Sequence, residues 1–479
     1  MKKPFGLKQI LILAAVLAVL VACVILIIST NTHDHVSGDP VRVDESSPTC
    51  RERGVYYDVI YCTECEKELS KKKHYINRIP HTYVDKLCTA CGFTDTESTA
   101  GLEFSSNANG DCYYLKSIGS CIDEEEIVIG SYNGVPVTKI LYGALEGCKN
   151  LKKITICETV TDIDKYAFKD CSSLETIVLK SEISIINEYT FKGCTSLKSI
   201  EIPETVNTIN SGAFALCYSL TNITLPSNLN HLGTEAFKYC TSLTDITIPP
   251  EVRTVGAYAF ANCTNLETLT LSDGVTNVGN GSFLGCEKLK TLDLPYSLNK
   301  IGESAFNGCI GLETVTMDNN VELIGKDAFL GCSSLTSIKL SEDLGIIQAS
   351  AFSGCSSLES IQLPQNLTSI GSFAFSGCTN LTEIIFPDKL GIIGDDMFAG
   401  CSRLKKVTFS KSVRYIGARI FAGCDALEEV VFSDPVGWLE TEDGTYMGGH
   451  LIKTSKLDDP KVAAKNMKGE FFNLYLKKD

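Results

Sequence analysis

The chain has 479 residues, 44% apolar and 21% charged, which excludes a wholly disordered protein and permits a large core. Its 43 Lys and Arg against 58 Asp and Glu leave −15, a balance that argues against a nucleic-acid partner. The 22 cysteines are too sparse for a small disulfide scaffold, so their positions must explain them.

Residues 1–9 carry Lys2, Lys3 and Lys8, and residues 10–28 (ILILAAVLAVLVACVILII) carry no charge, Gly or Pro. Nineteen such residues suffice to cross a ~30 Å hydrocarbon core as a helix. The basic flank keeps the N-terminus inside. The expected layout is a cytoplasmic tail (1–9), a transmembrane signal-anchor (10–28) and an extracellular bulk, making a single-pass cell-membrane protein. The rival is cleavage at Leu20-Val21-Ala22-Cys23, which resembles a lipoprotein box, but Val24 to Ile28 stay apolar where a mature lipoprotein turns polar. Residues 29–49 are polar and read as a flexible stalk, with His33 and His35 as solvated linker residues.

Residues 50–100 form a small Cys/His module. Cys62 and Cys65 make one CxxC knuckle, Cys88 and Cys91 another, with His74 and His81 between them. Two such knuckles can converge on one tetrahedral ion, so one structural zinc is a candidate cofactor. Disulfides in an oxidising compartment are the open alternative. A redox CxxC is disfavoured, because no βαβ pattern surrounds it. Either staple is structural: the segment is too small to hold itself by a core.

From residue 101 a repeat dominates. Cys recurs every 23 residues from Cys148 to Cys424 without an insertion. The unit reads C-x-x-L-x-x-I-x-L-P-x-x-V-x-x-I-G-x-x-A-F-x-G. Its I-x-L core has period 2 and predicts a short strand with one buried face. Pro203, Pro226 and Pro249 then stop the strand. A second pair, such as Val206/Ile209, returns the chain to the core. The following slot holds Gly233, Gly256 and Gly279 but Asn187 and Asn210, which suggests a left-handed turn there. The A-F-x-x-C-x-x-L stretch, with spacing three, suits a helical or 3₁₀ turn. One unit cannot bury its own face, whereas stacked units can. Cys171, Cys194, Cys217, Cys240, Phe191, Phe214 and Phe237 are therefore expected to form the structural repeat core. The predicted fold is mostly β with short helical or 3₁₀ turns.

These motifs resemble the leucine-rich repeat superfamily and, within it, the BspA-like class, with its L-x-x-I-x-L-P and I-G-x-x-A-F-x-x-C pattern in register. The resemblance covers residues 101–479. It implies an N-terminal cap and atypical first repeat over 101–147, a horseshoe or superhelical solenoid over 148–432, and a C-terminal cap over 433–479 containing Trp438, the only Trp. It also implies a cell-surface location and adhesion or protein binding.

The cysteine column reads as small apolar filling with thiols near loop carbonyls, rather than a zipper of disulfides, whose torsion would distort every turn. Cys112, Cys121 and Cys157, near the first edge, are candidates for a covalent cap. The outward strand slots are short and polar, and Thr224, Thr247, Thr270, Thr316 and Thr408 mark the candidate binding face. Thr is also simply a good exposed strand former. Tyr258, Tyr296 and Tyr415 are alternative contact points outside those slots. No HExxH, GxSxG, P-loop or paired-carboxylate motif occurs, so no catalytic residue is assigned. Three functions stay open: a surface adhesin or receptor for a host, matrix or envelope protein, a structural envelope protein, and an accessory module recruiting an enzyme or polysaccharide.

Overall fold

The computed structural model describes residues 39–46, 54–61, 68–76, 83–84, 87–88, 96–317, 320–442 and 450–478. The chain divides into two compact units, one of residues 1–82 with 89–91, the other of 83–88 with 92–479. The proposed tail and anchor at 1–28 lie outside the described residues. Among those described, no helix is long and apolar enough to cross a membrane.

The first unit contains a three-stranded antiparallel sheet of Val41–Ser46, Gly54–Tyr61 and Glu68–Ile76. The first strand falls within the flexible stalk expected over 29–49, of which residues 29–38 and 47–49 lie outside the described residues. Its pairing places Arg42 opposite Asp58, and Asp58 opposite Lys72. Opposite charges facing across strands stabilise pairing by about 0.2–1 kcal/mol each, and a one-strand view of the sequence hides them. Of the proposed zinc or disulfide set, Cys62, Cys65 and Cys91 lie outside the described residues. Cys88 ends a two-residue strand, Leu87–Cys88, paired with Tyr83–Val84.

In the second unit each 23-residue repeat makes one coil with three sides. The first side carries the longer strands. Asp245–Ile248 lies parallel to Thr268–Leu271, with Ile246 opposite Leu269 and Ile248 opposite Leu271. Alternate residues are buried and exposed along both strands, as period 2 demands. The second side carries two-residue strands, from Ile185–Ile186 to Tyr415–Ile416, stacked in parallel. The inner residue of each, such as Ile347 or Ile393, is fully buried. The third side consists of turns. There Phe168 to Phe398 stack face to face in the core, with centroids 5.1 Å apart at Phe214–Phe237 and 5.9 Å at Phe375–Phe398.

One expectation about the turns needs correction. Gly233, Gly256, Gly279 and Gly302 do not have positive φ. Their slot is tight instead: a Cβ on Gly302 would lie 2.7 Å from Val278 O and from the Gly279 carbonyl carbon of the preceding coil. Backbone passes against backbone there. Asn187 occupies the same slot by donating Nδ2 to Ile163 O at 2.8 Å. The left-handed residues fall elsewhere, two per coil. One lies two residues before Phe (Tyr166, Tyr189, Glu235, Tyr258), the other directly before Cys (Asp170, Gly193, Leu216, Tyr239). These reversals confine the helical or 3₁₀ turn expected over A-F-x-x-C-x-x-L to single i→i+3 turns. Such turns, for example Cys194 N to Phe191 O at 3.2 Å, alternate with bonds to the next coil, such as Phe191 N to Ala213 O at 2.8 Å.

Both ends are closed. Thr99 N donates to Val128 O, and Ser98 N to Ser131 O, covering the first strand edge. At the far end Tyr475–Lys478 pairs antiparallel with Tyr415–Ile416, and Trp438–Thr441 pairs with it in turn. Helix α1 (Pro460–Lys468) is capped by Asp459, which accepts from the backbone N–H groups of Lys461 and Val462. Trp438 is buried against Phe432 and donates Nε1 to Asp434 O. The caps cover the edges of the repeat strands, which would otherwise template aggregation.

Candidate binding surface

The recurring cysteines are buried throughout the array, and Cys171 to Cys424 carry free thiols at their 23-residue interval. Each thiol donates to a carbonyl of the preceding coil: Cys194 to Phe168 O at 3.2 Å, Cys217 to Phe191 O at 3.2 Å, Cys240 to Phe214 O at 3.3 Å. Cys171, at the start, uses Leu145 O at 3.0 Å. Burial pushes the Cys263 thiol up to about 12, and raises Cys194 and Cys240 well above the usual value. The thiolate is the reactive form, so burial makes this column chemically quiet. Phe191, Phe214 and Phe237 are fully buried beside it. Near the first edge, Cys112 and Cys121 are thiols and not a covalent clasp. Cys121 instead donates to Ala100 O at 2.9 Å.

On the longer-strand side, Thr224, Thr247 and Thr270 are exposed, whereas Thr316 and Thr408 are half-buried. Thr247 stands directly opposite Thr270, and Thr316 lies between Asp293 and Lys339. Thr408 lies between Ile385 and Val431. The central coils therefore present a row of short hydroxyls and the last ones an apolar patch, with Ile385 64% exposed. That isoleucine occupies an outward slot of its unit, E-I-I-F, where sequence reasoning stopped at the threonines. Lys406 and Glu429 pair across neighbouring strands at 3.2 Å on the same side.

The three tyrosines separate. Tyr258 is exposed, its ring 5.6 Å from Lys238 Nζ, and Tyr296 is 61% exposed. Tyr415 packs at 6.0 Å against Tyr475 of the closing strand. A tyrosine stack went unnoticed in the sequence: Tyr142–Tyr166 at 5.1 Å and Tyr166–Tyr189 at 5.2 Å. Two of its rings sit at the left-handed slot, so only the correct placement of that slot brings them together. Among the described residues, no three His, Cys, Asp or Glu side chains are grouped to hold a metal ion.

Stacked coils with two parallel ladders, an inward leucine at each turn and a conforming cap at each end define a leucine-rich repeat solenoid. The model of the BspA type leucine rich repeat region matches residues 120–244, 231–341 and 322–442, in six copies, and the chain belongs to that family. Solved structures similar to it include a leucine-rich repeat protein from Bacteroides ovatus, 28% identical, covering 69% of this chain and 93% of that one, with a TM-score of 0.48. A leucine rich cell surface protein from Faecalibacterium prausnitzii is 25% identical, covering 70% of this chain and 94% of that one, with a TM-score of 0.43. No curated protein matches the chain. Arrays of this class are generally non-catalytic scaffolds that bind proteins.

Proposed function

We propose that the chain is a membrane-anchored surface protein whose longer-strand face binds a protein ligand in adhesion. The observation that carries this reading is the outward row Thr224, Thr247, Thr270 on a closed, rigid array. Hydroxyls one coil apart offer many weak, evenly spaced hydrogen bonds, and a long surface sums such contacts. Residues 10–28 supply the anchor and place the repeats outside the cell. Cys62, Cys65, Cys88 and Cys91 hold one structural zinc in the module that precedes the array in sequence; zinc analysis returning no metal, together with no free thiol there, replaces the ion with disulfides.

The test is binding of the purified protein to immobilised matrix and serum proteins, with the double variant Thr247→Lys/Thr270→Lys alongside. Saturable binding that the variant loses supports the reading. Equal binding by both proteins moves the site off this face. Normal surface display with no binding to any ligand favours the structural envelope role.

A further inference from the structure

The short-strand side carries a second outward row, which changes character halfway along. Its first part is mostly polar: after Ile185, itself 40% exposed, Thr208, His231, Thr254, Asn277 and Lys300 follow one another in register. From the next coil it reads Leu323, Ile346, Ser369, Ile392, Tyr415, again directly opposite one another. Ile346 is 39% exposed and Ile392 48%. Isolated exposed apolar residues are ordinary; here two exposed isoleucines flank Ser369, with half-buried Leu323 and Tyr415 beyond them.

The residue preceding each member forms a flanking column: Glu322, Gly345, Thr368, Gly391, Arg414. The two glycines are not required by the fold. Neither has positive φ. A Cβ on Gly391 would meet nothing within 4 Å, and one on Gly345 only Glu322 O at 3.8 Å. This contrasts with Gly302, where the preceding coil fills the space. Gly345 and Gly391 thus leave bare backbone beside the two exposed isoleucines.

The pattern is also two-fold about Thr368–Ser369. One coil to either side stand Gly345-Ile346 and Gly391-Ile392; two coils to either side stand Glu322-Leu323 and Arg414-Tyr415. Among the described residues neither Glu322 nor Arg414 forms an ion pair, although Arg414 helps lower the Asp434 carboxyl, behind the Lys478 contact that dominates there. A rotation axis parallel to the strands through Thr368–Ser369 would superpose apolar on apolar, bare on bare and acid on base. Self-complementarity of this kind is what an isologous interface requires, and no unrelated partner demands it.

We propose that this surface docks a second copy of the chain. In the pair, Ile346 of each copy meets Ile392 of the other, and Glu322 meets Arg414 twice. Thr368 and Ser369 lie on the axis, and the bare backbone at Gly345 and Gly391 allows the two sheets to approach. At the rim Lys300 faces Lys477, a like-charge contact at the edge of the pair.

The experiment measures self-association of the full chain in detergent by light scattering across a concentration series. The unaltered chain is expected to dimerise. Glu322→Arg and Arg414→Glu each introduce two like-charge contacts and should weaken the dimer by roughly tenfold or more. The double variant Glu322→Arg/Arg414→Glu restores both pairs and should recover dimerisation to within about threefold of the parent. A short bis-maleimide should cross-link Thr368→Cys as a dimer and Thr254→Cys, on the polar half of the same side, no more than the parent. A monomer at all concentrations, failure of the double variant to recover, or equal cross-linking at 254 and 368 overturns the proposal.

Discussion

Phe260 lies at the middle of the buried ring stack, 5.2 Å from Phe237 and 5.3 Å from Phe283, and is fully buried. Phe260→Ala removes a ring that takes about 150–250 Å² out of water and leaves a cavity that the neighbouring coils cannot close. The expected cost is about 3–5 kcal/mol, including the two ring contacts at about 0.5–1.5 kcal/mol each. In a linear array that loss falls on two coil–coil interfaces and uncouples the halves. Trp438, the sole tryptophan, sits in the C-terminal cap and reports only on that end, whereas circular dichroism reports on all coils. In denaturant the parent should lose both signals together. The variant should lose part of its dichroism at lower denaturant while Trp438 fluorescence holds. Phe421, at the end of the stack and 5.9 Å from Phe398, should cost less when truncated and should move the Trp438 transition first. A cost for Phe260→Ala below about 1 kcal/mol, with coincident transitions, would refute the stacking argument.

The thiol column makes stability fall in alkali. An unfolded thiol titrates near 8.5, while burial holds Cys263 to about 12. The folded pKa is the raised one, so its contribution is complete below about pH 8.5 and is lost as pH rises toward 12, at up to about 1.4 kcal/mol per pH unit per thiol. Denaturation midpoints should drop steeply across that window, and Cys263→Ala should reduce the slope; a flat profile is contrary. A thiol reagent at pH 8 should leave Cys171 to Cys424 unmodified in the native protein and label them after unfolding, as mass spectrometry of peptides would show. Gly302→Ala should destabilise by about 1–3 kcal/mol through overpacking against the preceding coil, whereas Gly391→Ala should stay within about 0.5 kcal/mol; thermal melts of both variants separate the two kinds of glycine. Zinc chelation should perturb the module carrying Cys62, Cys65, Cys88 and Cys91 and leave the circular dichroism transition of the array and the Trp438 fluorescence intact.

Much of the array was legible because its period is covalent. Phe168 and Cys171 recur without an insertion, so stacking, burial and the strand slots follow from spacing alone. The turns were harder. Gly233 and Tyr166 both occupy turn slots, and residue type points to the glycine as left-handed, although the tyrosine holds that conformation and the glycine is set by a neighbouring coil. The exposed row at Ile346 was also hidden. Its strand is two residues long and offers no alternation, and its meaning depends on residues 23 and 46 positions away. Of the surface threonines, the hydroxyl row was visible as a pattern. The apolar patch at Ile385 breaks it and shows only when the strands are laid side by side. The strand at Val41–Ser46 gains from Arg42 facing Asp58 of the neighbouring strand, a pairing that one strand read alone does not show.

Each thiol reaches back to the coil behind it, Cys217 to Phe191 O, while backbone bonds on the same side reach forward, Phe191 N to Ala213 O. A coil one residue longer or shorter would miss both neighbours at once. Loops in most folds absorb insertions at little cost; here any change of length must come as a complete coil. The array is consequently gauged in 23-residue increments, and its reach can be altered by adding or deleting whole coils while every surviving one keeps its geometry.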